Sequence, residues 1–146
     1  SLLVGRGSVG PEAHAPNTLA ASSCADGSAG TFHVDESLDR LKITTTDNTP
    51  LAPGKQVRID ATVWAYSSYT SDKLDLYYAT NLNSPAWIFL TTLTPAGAGT
   101  QTLSHTFTLP SGAKVIRGRF RYGGSASSCA TDSYNDHDDL VFAAYP

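Results

Sequence analysis

Methionine is absent from this sequence, cysteine occurs only twice, and the net charge over 146 residues is just −3. So mild an acidic balance lacks the basic excess that marks a nucleic-acid binder. No run of about 20 apolar residues exists, so no helical membrane span is expected. The opening SLLVGRGSVG has no long apolar h-region, and an exported chain would already have shed its signal. No window carries the 3.6-residue apolar period of an amphipathic helix.

Catalytic signatures are equally sparse. There is no G-x-S-x-G elbow to strain a serine nucleophile. His14, His33, His105 and His137 are scattered, and His105 falls in phase with Leu103, Phe107 and Leu109, as a core histidine does. GRGSVG at 5–10 spells the dinucleotide fingerprint, but Pro11 and EAHAPN follow where that motif needs a helix. A pair of carboxylates for glycoside hydrolysis needs a deep cleft, which a sandwich of this length without insertions hosts poorly. The isolated domain is therefore expected not to be an enzyme.

What is present is the composition of an extracellular β-domain, rich in Thr, Ser, Ala, Gly and Tyr. Residues 1–20 hold Gly5, Gly7, Gly10, Pro11 and Pro16 with little periodicity, and read as a linker or N-terminal arm. Residues 21–146 then form one domain, long enough to bury a core. Candidate strands are 31–35, 38–46, 56–66, 73–80, 86–93, 102–109, 114–122 and 139–145, separated by turn clusters such as DNTPLAPGK and LPSGAK. That spacing predicts an all-β fold, an antiparallel β-sandwich, with a jelly roll of about eight strands as the expected topology.

Strand phasing sorts the side chains. In VRIDATVWAY the inward set is Val57, Ile59, Ala61, Val63 and Ala65, leaving Trp64 and Tyr66 on the other face. Tyr77 lies opposite Leu74, Leu76 and Tyr78. In VIRGRFRY, Ile116, Phe120 and Tyr122 share one face with Gly118, and Val115, Arg117, Arg119 and Arg121 take the other. Three like charges on alternate residues need acids or aromatic faces beside them. Trp64, Tyr66, Tyr77, Arg117, Arg119 and Arg121 could therefore form a wet ligand-binding platform for a sugar or extended peptide. The other reading is a self-neutralising surface whose aromatics are covered by the arm or a loop.

Two acid clusters carry the strongest chemical signal, HVDESLDR with Asp35, Glu36 and Asp39, and DSYNDHDDL with Asp132, Asn135, Asp136, Asp138 and Asp139. Cys24 and Cys129 precede these clusters in similar small-polar settings, so a disulfide would draw the loops together. The alternative is two separate buried thiols. Such a bridge contributes roughly 4–5 kcal/mol in the chain-entropy model. Calcium, which takes six to eight oxygens, would find candidate ligands in Asp35, Glu36, Asp39, Asp136, Asp138 and Asp139, although the order is not that of an EF-hand. Zinc on His33 and His137 is a rival without a compact spacing. Without a metal, the acids need arginine partners.

The segments CADGSAGTFHVDESLDRLKI, LAPGKQVRIDATVWAY, RGRFRYGGSASSC and YNDHDDLVF resemble a module appended to the C-terminal end of secreted peptidases from myxobacteria and similar Gram-negative bacteria. The likeness spans residues 17–145. It implies a secreted, non-catalytic accessory domain attached to a hydrolase, and brings no binding residues with it. Three functions follow as expectations: an accessory domain aiding substrate or surface binding and stability, a carbohydrate-binding module or lectin, and a structural domain packing on its catalytic partner. The expected partners are that parent catalytic domain and a polysaccharide or protein polymer.

Overall fold

The computed structural model describes residues 2–5, 19, 24, 26–27, 30–130 and 133–145. Most of the expected arm (6–18), with His14 and the GRGSVG stretch beyond Gly5, lies outside the described residues, as does Asp132.

Among the described residues, eight strands form two antiparallel four-stranded sheets packed as a β-sandwich. The strands are β1 (Leu2–Gly5), β2 (Ser37–Thr45), β3 (Gln56–Ala65), β4 (Asp72–Ala79), β5 (Ile88–Leu93), β6 (Gly99–Thr108), β7 (Val115–Tyr122) and β8 (Asp136–Val141). One sheet runs β1-β2-β3-β6 and the other β5-β4-β7-β8. The β3–β6 and β4–β7 pairings join strands three apart in the chain, the long connections of Greek-key sandwiches. β2 and β8 instead lie beside their sequence neighbours β3 and β7.

The core sits where alternation placed it. Val57, Ile59, Ala61 and Val63 of β3 are fully buried against Leu38, Leu41, Leu74, Leu76, Ile116 and Phe120. Gly118 of β7 lets the sheets approach closely: a Cβ there would lie 2.8 Å from Leu38 Cδ2 and 3.4 Å from Leu41 Cδ2. His105 points inward on edge strand β6, half-buried and stacked on Phe107.

Several element boundaries differ from expectation: β1 lies within the expected arm, paired with β2, and β6 begins at Gly99 rather than at 102. Residues 31–35 form a turn rather than a strand, because Asp35 Oδ2 accepts the Thr31 N–H at 2.7 Å and the Val34 and Asp35 N–H groups return to the Thr31 carbonyl. His33 completes this turn with a φ of 58°. The last strand begins at Asp136, three residues early, so the acids expected at its entrance are strand residues paired with β7. Asp136, His137, Asp138 and Asp139 face Phe120, Arg119, Gly118 and Arg117 in register.

Candidate functional site

The arginine face of β7 is not wet. Arg117, Arg119 and Arg121 are all at most 5% exposed, because the 123–130 loop folds back over that face of the sheet. The phase is the expected one, and of the two readings of this face the structure matches the self-neutralising one, with the arginines paired to acids and a loop as cover. Arg117 grips Asp139 with both Nε and Nη2, at 2.7 and 2.9 Å, and lies 4.2 Å from the Trp87 ring centre. Arg121 holds Asp75 in the same two-pronged way, at 2.7 and 3.1 Å, while Arg119 reaches Asp75 at 3.2 Å and Asn135 Oδ1 at 2.7 Å. Spare guanidinium N–H groups donate to the loop carbonyls of Gly123, Gly124, Ser125 and Ser128. Two-pronged arginine–carboxylate pairs are strong and directional, and burial makes every donor's satisfaction necessary.

The disulfide between Cys24 and Cys129 is formed, with the Cα atoms 5.7 Å apart. It ties this loop to the segment that carries Asp26. Asp26 Oδ1 in turn accepts the His137 N–H at 2.7 Å, and the Gly27 N–H donates to the Asn135 carbonyl at 2.8 Å. His137 is fully enclosed, and neither ring nitrogen has a hydrogen-bond partner among the described residues. Burial, reinforced by Arg117 and Arg119, pushes its pKa down to about 3, so the ring is neutral near neutral pH.

The six acids expected around one ion are divided by this architecture. Asp139 faces the arginines. Asp136 and Asp138 alternate to the opposite side, between the sheets, where Asp136 Oδ2 accepts the Leu38 N–H at 2.7 Å. Asp39 is taken by His33 Nε2 at 2.6 Å and by the Ser37 hydroxyl at 2.7 Å. Among the described residues no three His, Cys, Asp or Glu side chains are gathered as a metal would require. The two loops do converge, but backbone donors and arginines meet the carboxylates there.

The aromatic platform is likewise dispersed. Trp64 stacks on His33 with ring centres 4.5 Å apart, and His33 stacks on Phe32 at 3.8 Å, so the turn at 31–35 covers the indole. Tyr77 is buried and meets Phe89 edge-on at 5.6 Å. Of the six platform residues, Tyr66 borders an open cavity.

That cavity is a cleft of about 200 Å³ lined by Asp35, Glu36, Tyr66, Tyr122 and Tyr134. Three tyrosines wall it, with Tyr122 nearly perpendicular to each of the other two. Tyr66 meets Tyr122 at 6.1 Å and 78°, and Tyr122 meets Tyr134 at 6.5 Å and 72°. Tyr122 and Tyr134 remain 45% and 36% exposed, so their faces are open to a visitor. Tyr134 holds a left-handed φ of 64°, a backbone position that costs a non-glycine residue free energy and is common at functional sites.

Beneath these rings lie acids without cationic partners. Glu36 is 4% exposed, and among the described residues its carboxylate meets its own backbone N–H but no cation. Asp72 is fully buried, with Oδ2 accepting the Tyr66 N–H at 2.9 Å and Oδ1 unpartnered. Burial raises Glu36 to a pKa of about 7, with repulsion from Asp72 and Asp35 adding to it, and burial raises Asp72 to about 6. Asp35, Glu36 and Tyr66 were each singled out by sequence, but in separate roles. Tyr122, expected on the inward face with Ile116 and Phe120, is instead 45% exposed at the end of β7 and borders the cleft, and Tyr134 was missed although it adjoins the flagged NDHDD run.

The sequence matches no protein-family model. No curated protein matches it either.

Proposed function

We propose that this chain is a non-catalytic binding module, an accessory domain of a secreted hydrolase of the peptidase type, and that the tyrosine-walled cleft is its ligand-contacting surface. One observation carries the reading. The arginines of β7 are paired with Asp139 and Asp75, whereas Glu36 and Asp72 are buried close to an open, aromatic-lined cleft and form no ion pair among the described residues. Burying acids without partners costs stability, and such a cost is typical of a site kept for binding. The disulfide is compatible with an oxidising, extracellular setting. The resemblance to peptidase-appended modules supports the attachment to a hydrolase.

A polysaccharide ligand is the second reading, favoured by tyrosine faces on which sugar rings stack. Pull-down on casein, chitin, cellulose and bacterial cell walls tests the module directly. Retention of the wild type on one polymer, reduced at least tenfold by Tyr122→Ala, is expected. Retention unaffected by Tyr122→Ala removes the cleft from the reading, and hydrolysis of any of these polymers by the purified chain removes the non-catalytic assignment.

A further inference from the structure

We infer that the cleft formed by Glu36, Asp35, Tyr66, Tyr122 and Tyr134 is a receptor for an organic ammonium cation, of the kind carried by a lysine side chain or a choline headgroup. This deepens the proposed function and rests on its reading of the cleft as the ligand site.

Charge is the first argument. Asp35 and Asp72 both act electrostatically on Glu36, and among the described residues no lysine, arginine or histidine forms an ion pair with any of the three. Lys73 adjoins Asp72 and acts on it electrostatically, but its Nζ donates elsewhere, to the Thr70 carbonyl and the Thr94 hydroxyl at 2.9 and 3.1 Å. The arginines of β7 are consumed by Asp75, Asp139 and the loop carbonyls. The cleft therefore holds an uncompensated negative charge that a positive guest would neutralise.

The walls decide what kind of cation. Tyrosine faces are electron-rich, and they attract ammonium groups whose alkyl substituents shed water easily. Tyr122 set edge-on to both Tyr66 and Tyr134, with two carboxylates in the same lining, makes a corner suited to a rounded, greasy cation. The volume of about 200 Å³ holds several times the ~30 Å³ share of one water, enough for a single side-chain or headgroup end. A calcium ion wants six to eight oxygens, and this lining supplies two carboxylates and three phenols spread around a cavity. A sugar would find only the three phenol hydroxyls as side-chain donors, since no amide, guanidinium or ammonium side chain lines the cleft.

The groups that face Glu36 are Asp35 on its own turn, Tyr66 after β3, Asp72 of β4, Tyr122 of β7 and Tyr134 before β8. With Glu36 titrating near pH 7, its ionised fraction rises about tenfold between pH 6 and pH 8. A cation that prefers the carboxylate should bind about tenfold more tightly at the higher pH.

Calorimetric titration of the full chain with choline, Nα-acetyl-lysine methylamide, methyl glucoside and calcium chloride tests the inference. Choline or the lysine derivative should bind, about tenfold more tightly at pH 8 than at pH 6. Glu36→Gln should lose at least tenfold in affinity together with the pH dependence, and Tyr122→Ala should lose affinity but keep the pH dependence. Preference for the lysine derivative points to a protein ligand, and preference for choline to a lipid headgroup; either supports the ammonium class. Methyl glucoside binding in a Tyr122-dependent way, with no ammonium binding, overturns the cation class while leaving the cleft as the site. Calcium binding abolished by Glu36→Gln overturns it in favour of a metal. Ammonium binding that survives both substitutions, or no binding by any probe, overturns it as well. Polymer retention lost in Tyr122→Ala would then still stand for the site itself. Circular dichroism of each variant confirms that the loss is not unfolding.

Discussion

Replacing Glu36 with glutamine should stabilise the unliganded protein in alkali and change it little in mild acid. The folded protein holds the Glu36 carboxyl near pKa 7, against 4.5 for the free group. A raised carboxylate pKa means that the folded state binds the proton more tightly than the unfolded chain does. Stability from this group is therefore present at low pH and lost as pH climbs from about 4.5 through 7. The full interval corresponds to a ceiling of about 3 kcal/mol, at 1.36 kcal/mol per pH unit. Water entering the open cleft screens part of that, so a gain of roughly 1–3 kcal/mol at pH 9 is the expectation. Glutamine keeps the shape, removes the ionisation and also relieves the repulsion on Asp72. Urea denaturation of both proteins at about pH 5 and pH 9 measures the effect. At pH 5 less than ~1 kcal/mol of the difference should have developed. At pH 9 the melting temperature should rise by about 3 °C for each kcal/mol gained. Equal stability differences at the two pH values, or a loss at pH 9, would refute the picture of a buried, uncompensated acid.

Asp75→Asn should cost about 3–5 kcal/mol, since Arg119 and Arg121 would both lose their carboxylate while staying buried. Limited proteolysis should then cut first within 123–128, whose carbonyls those arginines hold. Gly118→Ala should cost roughly 1–3 kcal/mol by overpacking, and Leu38→Val in the same chain should recover part of it, because the nearest clash is with a Leu38 methyl; chemical denaturation of the single and double variants reads this out. Opening Cys24–Cys129 by reductant or by a double serine substitution should lower stability by up to about 4–5 kcal/mol, given a separation of 105 residues, with the reduced wild type and the serine variant unfolding alike.

Much of the sandwich was legible because period-two alternation is a direct consequence of strand geometry. Every inward residue assigned to β3 is buried, and β7 has the phase read from it. Alternation cannot tell what covers the second face. The cover of β7 is a Gly/Ser loop with no periodicity, held by main-chain carbonyls that no side-chain pattern reveals. The run DHDD read as a loop because aspartate is a poor strand former. Pairing with arginines across the β7–β8 ladder outweighs that preference. The cleft was half-visible. Its five residues come from four separate stretches, at 35–36, 66, 122 and 134, and only the packing of the β2–β3 sheet on the β4–β7–β8 sheet brings them to one place. The 31–35 segment misled for a local reason: its apolar and β-branched residues suit a strand, but Asp35 captures the Thr31 N–H and closes a turn.

The arginine grip on the 123–128 loop has a consequence for how that loop tolerates change. The guanidinium groups hold carbonyl oxygens, which every amino acid possesses, and so the path of the loop does not depend on serine side chains at 125 and 128. Gly123 and Gly124 are different, because their φ angles of 64° and 73° disfavour other residues. Substitutions at 125, 126 and 128 should therefore leave the fold intact while recolouring an exposed surface. A labelling group or a short foreign epitope placed there would ride on a scaffold already clamped from below.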